Sequence, residues 1–154
     1  MIVSHRHKFV FIQLDQTAST AIARELCQHY GGEPMLWKHA RYCDFMKVAT
    51  PEEKEYFFFS GVRNPMDALV STYLRQKSDR NKRFSGRMEG TSKRNISQYE
   101  YINRTSADFP EFFKRFFADD IYNEWKTKDF EKLDYVYRFE DVQDEFSTIL
   151  GKLG

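Results

Sequence analysis

The sequence predicts a single α/β domain, residues 1–154, with a mainly parallel sheet between layers of helices. Three observations carry that expectation. Runs of strand length and strongly apolar or aromatic character occur at 8–14, 56–62 and 135–139. The first is nearly continuous in apolar character, as a strand buried on both faces of a parallel sheet is. After each run the apolar residues change to helical spacing, so strand and helix alternate along the chain. Right-handed crossovers then bring the loops after the 8–14 and 56–62 strands to one edge of the sheet.

The first run, KFVFIQL, stops at Asp15. Gln16, Thr17, Ala18, Ser19 and Thr20 are small or polar, and Ala18, Ile22 and Leu26 recur at fourfold spacing, so a helix begins within the loop and ends at Gly31 and Gly32. A strand that feeds a helix through small residues leaves backbone N–H groups free at the positive end of the helix dipole, where phosphate or sulfate binds well. The same pattern also fits an ordinary βα unit with a Ser or Thr cap. A nucleoside triphosphate loop of the usual kind is excluded in practice, because it needs glycines and a Lys before Ser or Thr, and no glycine occurs between Met1 and Tyr30.

Met35 to Trp37 form a short apolar stretch, followed by Lys38, His39 and a turn of helix with Tyr42 and Phe45 facing inward. The 56–62 strand ends near Arg63. Asn64, Pro65 and Asp67 then supply a cap, a first-turn proline and an acidic third position for a second helix. Met66, Leu69, Val70 and Tyr73 are its expected buried face, and Ser71 lies about two turns in. A strand-end Arg and a helix Ser suit a phosphate: the first offers a bidentate fork, the second a hydroxyl.

Residues 76–98 read as a mobile basic loop, with Lys77, Arg80, Lys82, Arg83, Arg87, Lys93 and Arg94 against Asp79 and Glu89. It is either a solvated loop or a cationic cover for an anionic ligand. Phe109, Phe112, Phe113, Phe116 and Phe117 follow a Ser106 or Asp108 cap at helical spacing, with Pro110 in the first turn and a continuation toward Trp125. Val142, Phe146, Ile149 and Leu150 mark a final amphipathic helix.

The formal net charge of +1 gives no global attraction to nucleic acid or an acidic membrane. No apolar run is long enough to span a bilayer, and residues 1–8 are too short and polar for a secretion signal. The expectation is a soluble, cytoplasmic protein. Cys27 and Cys43 lack metal-ligand or disulfide spacing and read as reduced thiols. His5, Arg6 and His7 read as part of a frayed polar terminus rather than a metal site.

Three of these stretches together resemble the sulfotransferases that use 3′-phosphoadenosine 5′-phosphosulfate (PAPS). Thr17, Ala18, Ser19 and Thr20 match the 5′-phosphosulfate loop of that family, with Asp15 in place of its Pro and Gln16 in place of its Lys. Arg63-Asn64-Pro65 with Ser71 eight residues after the Arg is similar to the family's 3′-phosphate motif. His39 with Tyr42, Asp44 and Phe45 looks like the element between the two motifs in carbohydrate sulfotransferases such as the heparan sulfate 2-O-sulfotransferases. Arg-Phe-Glu-Asp at 138–141 is similar to a later part of such domains, which usually continue beyond the point reached at Gly154.

The resemblance implies a three-layer, P-loop-like fold and transfer of a sulfuryl group from PAPS to a small-molecule or carbohydrate acceptor, leaving adenosine 3′,5′-bisphosphate. It assigns His39 as general base. Gln16, Thr17, Ala18, Ser19 and Thr20 would hold the phosphosulfate, Gln16 at the catalytic Lys position, and Arg63 and Ser71 the 3′-phosphate, without a metal. Gln16 provides a neutral hydrogen bond where the family has a charge, and Lys8, Lys38 or the basic loop are candidate replacements. Two other readings stay open: a non-catalytic relative that binds nucleotide or a partner, and a nucleotide phosphotransferase.

Overall fold

The structure, a computed structural model, describes residues 1–118 and 128–154. The chain forms two compact units, one from Met1–Asn64 with the described part of Glu124–Gly154, the other from the described part of Pro65–Asn123.

The first unit is built on a five-stranded sheet: β1 (Ile2–Ser4), β2 (Phe9–Ile12), β3 (Glu33–Pro34), β4 (Phe57–Val62) and β5 (Tyr135–Arg138), in the order β3-β1-β2-β4-β5. β2, β4 and β5 pair in parallel, and β1 runs against both of its neighbours. The sheet is therefore mainly parallel in strand direction, with one reversed strand inserted. Its helices are α1 (Ser19–His29), the single turn α2 (Tyr42–Phe45) and, at the chain end, α6 (Val142–Leu153).

Strand alternation divides the apolar side chains between two cores. Phe9, Phe11 and Phe59 join Tyr137, Ile22 and Leu26 of α1, and Ile149 and Leu153 of α6. Val10, Ile12 and Phe58 point the other way, to Phe45, Ala40, Tyr56 and Met1. Both faces are thus covered, which is why β2 is apolar without a break and β4 opens on three phenylalanines. Gly31, at φ 58°, ends α1 in the left-handed conformation, and the N–H groups of Tyr30 and Gly32 both donate to the Leu26 carbonyl.

The chain start differs from the frayed terminus expected. Ile2 and Val3 alternate onto the two cores, and pairing of Ile2 with Phe11 and Ser4 with Phe9 makes β1 the first arm of a hairpin. His5, Arg6, His7 and Lys8 are its turn. The cores thus draw in a segment only three residues long.

The second unit contains α3 (Pro65–Ser78), α4 (Lys93–Thr105) and α5 (Phe109–Phe116). Its core is Tyr73, Ile102 and Phe112, and the Gln76 amide donates to Gln98 Oε1 at 2.7 Å. Asp108 caps α5 as expected, accepting from the Glu111 N–H in a capping box. The continuation toward Trp125 lies outside the described residues.

Two expectations are corrected here. The buried face of α3 is Thr72, Tyr73 and Gln76, while Met66 and Val70 are 42% and 36% exposed. The α4 and α5 partners cover the Thr72, Tyr73 and Gln76 face in the later part of the helix, and Met66 at its start and Val70 beside that face stay exposed. The 76–98 segment is also less of a loop than expected, because 76–78 complete α3 and 93–98 begin α4. Between them, the Asp79 carboxylate accepts from the Phe84 and Ser85 N–H groups, and Phe84 is buried and stacked on Tyr99.

Candidate active site

The loop between β2 and α1 is folded by two left-handed residues, Gln16 at φ 65° and Ala18 at φ 59°. Such a conformation is unfavourable for residues with a Cβ, so other contacts must hold it. The Thr17 and Ser19 hydroxyls donate to the Leu14 carbonyl at 3.0 and 2.6 Å. Gln13 Nε2 donates to the Ser19 carbonyl at 3.3 Å, and the Tyr137 hydroxyl donates to the Thr17 carbonyl at 2.7 Å. Burial pushes the Tyr137 phenol up to about 12, its bond to Thr17 acting in the opposite sense, so it stays a neutral donor.

These contacts change the part expected of the loop hydroxyls. Thr17 and Ser19 are only 3% and 5% exposed, and their hydrogens are directed to Leu14. They shape the loop, whereas Thr20 is exposed in the first turn of α1. The Ala18 carbonyl accepts from the N–H groups of Ala21 and Ile22, so the helix is formed from its first residue. The partial positive charge at this helix end faces the loop.

Arg63, one residue beyond β4, reaches the same loop. Its Nη1 donates to the Gln16 carbonyl at 3.3 Å, and its guanidinium lies 4.1 Å from the centroid of the Phe139 ring, just beyond β5. The following N–H, of Asn64, donates to Glu140 Oε1 at 2.7 Å. Parallel pairing of β2, β4 and β5 puts their C-terminal ends together, and this is the edge where an open α/β sheet binds ligands.

His39 also comes to the loop. Its Nδ1 is 3.0 Å from the Gln13 carbonyl, which can only accept, so Nδ1 carries the hydrogen. Nε2 lies 3.1 Å from Asp15 Oδ1. The residues after His39 explain its position. Ala40 and Phe45 are buried, Tyr42 packs edge-on against Phe58, and the Asp44 carboxylate accepts from the Arg41 N–H. That bond draws the Asp44 carboxyl below its ordinary range. Tyr42, Asp44 and Phe45 thus anchor the segment that presents His39.

Lys38 Nζ donates to Thr20 Oγ1 at 3.0 Å, and so lies at the start of α1. Lys8 is at the opposite end of β2, paired with Glu52 at 3.5 Å, and is no substitute for a loop cation. Ser71 belongs to the other unit, on the second turn of α3. The residues brought together in the sheet unit are Gln16, Thr17, Ala18, Ser19, Thr20, Lys38, His39 and Arg63.

The whole chain, residues 1–154, matches the sulfotransferase family. The chain belongs to that family. No curated protein and no solved structure matches it.

Sulfotransferases of this family generally use PAPS as sulfate donor. The donor set here fits such an anion: a helix N-terminus behind a constrained loop, with the Lys38 ammonium and the Arg63 guanidinium each in hydrogen-bond contact with loop atoms. In this chain three supporting residues are not evident from motif reading. Gln13 interrupts an apolar run, and that interruption is its only signal. Tyr137 reads as one more aromatic in a strand. Asp15 reads as a departure from the family Pro, without any indication that it meets His39.

Proposed function

We propose that this chain transfers a sulfuryl group from PAPS to an acceptor hydroxyl, with a carbohydrate hydroxyl as the preferred acceptor class. The observation that carries the reading is the convergence of His39 and Arg63 on the β2–α1 loop, from segments far apart in sequence. When bound, the donor supplies the activated sulfuryl group. The helix N-terminus and the N–H groups of residues 17–20 hold its 5′ end, and Arg63 selects the 3′-phosphate. His39 Nε2 takes the acceptor proton, while Nδ1–H on the Gln13 carbonyl fixes the tautomer.

With its hydrogen on Nδ1, His39 can meet the Asp15 carboxylate through Nε2 only as a donor. Nε2 can therefore take the acceptor proton only after its own proton has passed to Asp15 or solvent and Asp15 has turned away. The same pairing is what favours a second reading, a family member that binds the nucleotide without turnover. The test is incubation with sulfur-labelled PAPS and a panel of hydroxyl-bearing glycans. Label transferred to a glycan is the expected result; nucleotide bound with no transfer to any acceptor would favour the second reading.

A further inference from the structure

We propose that Lys38 is the cation of the phosphosulfate loop, doing from outside the loop what neutral Gln16 cannot do within it. The inference rests on the sulfotransferase reading above and concerns the 5′ end of the nucleotide. A loop that holds a phosphosulfate needs positive charge near the helix start, because the helix end supplies only about half an elementary charge. Gln16 brings none, and its backbone carbonyl is turned to Arg63.

Lys38 meets the requirement by position. Its backbone is fixed: the Ala40 N–H donates to the Trp37 carbonyl at 3.0 Å, Ala40 is fully buried, and the neighbouring His39 is bound to Gln13. Its side chain is exposed and lies on Thr20, the loop hydroxyl that faces outward. An ammonium has three donors, and the Thr20 contact uses one of them, so two remain for phosphate oxygens. The nearby acid, Asp15, is placed on His39 Nε2. Lys38 and His39 are adjacent in sequence, so the turn that presents the base also presents the charge.

The test is calorimetric binding of adenosine 3′,5′-bisphosphate and of adenosine 3′-monophosphate, which lacks the 5′ group. Lys38→Ala is expected to weaken the bisphosphate by about tenfold or more, the usual effect of losing a charge-assisted contact, and to leave the monophosphate unchanged. Gln16→Lys in the Lys38→Ala background is expected to restore most of the loss. That rescue is not expected of a merely structural residue. If the unsubstituted chain binds the bisphosphate and Lys38→Ala binds it equally well, or loses both nucleotides alike, the inference is overturned and the sulfotransferase reading stands. If the unsubstituted chain binds neither nucleotide, that reading fails and the inference falls with it.

Discussion

Replacement of His39 by Ala is expected to lower the rate of the proposed sulfuryl transfer by on the order of a hundredfold or more, with little change in nucleotide affinity. The expectation follows from the division of work between the two ring nitrogens. Nδ1 is bound to the Gln13 carbonyl and only Nε2, now beside Asp15, can receive a proton. Loss of the Nδ1 bond could itself disturb the loop, since Gln13 also donates to the Ser19 carbonyl. His39→Asn separates the two effects, as its amide can keep a donor toward Gln13 while lacking a base. Both variants should be slow and both should bind nucleotide; an Asn variant at the unsubstituted rate would remove His39 from the chemistry.

The second large effect belongs to Gly61. It pairs with Tyr137 across β4 and β5, and a Cβ built on it would lie 2.2 Å from Tyr137 Cζ. Real Cβ atoms do not approach so closely, and neither backbone can shift without breaking sheet pairing. Gly61→Ala is therefore expected to destabilise the chain by about 3 kcal/mol or more, at the upper end of overpacking costs. Displacement of the Tyr137 ring would also withdraw its hydroxyl from Thr17, so the anion loop should loosen together with the core. Denaturant unfolding followed by Trp fluorescence reads the first effect, and nucleotide affinity the second. An unchanged midpoint would mean that the Tyr137 ring has room elsewhere.

What the sequence made legible follows from the range over which each signal acts. β2, α1, β4, α5, β5 and α6 rest on local periodicity, and their residues occupy the expected elements. β1 is too short for a pattern, and only the two cores that take up Ile2 and Val3 reveal it. On α3 Met66 and Val70 fall near Tyr73 by helical spacing, so the sequence could not say that α4 and α5 would cover Tyr73 and leave the other two exposed.

At the site, residue types were readable and their directions were not. Thr17 and Ser19 carry the expected hydroxyls, but the Leu14 carbonyl captures both. The contacts of Asp15 with His39, Lys38 with Thr20 and Arg63 with Gln16 join segments separated by a helix or more, where no local pattern reports them. Of the three candidate replacements for the loop lysine, geometry favours Lys38 over Lys8, because the two stand near opposite ends of β2.

The central claim is that the β2–α1 loop and Arg63 form a site for a nucleotide with a 3′-phosphate. Calorimetric titration of the chain and of Arg63→Ala with adenosine 3′,5′-bisphosphate and with AMP tests it most directly. The account predicts that the unsubstituted chain prefers the bisphosphate, and that Arg63→Ala loses about tenfold or more in its affinity while AMP binding changes little. Equal binding of the two nucleotides, or a preference that survives Arg63→Ala, would contradict it.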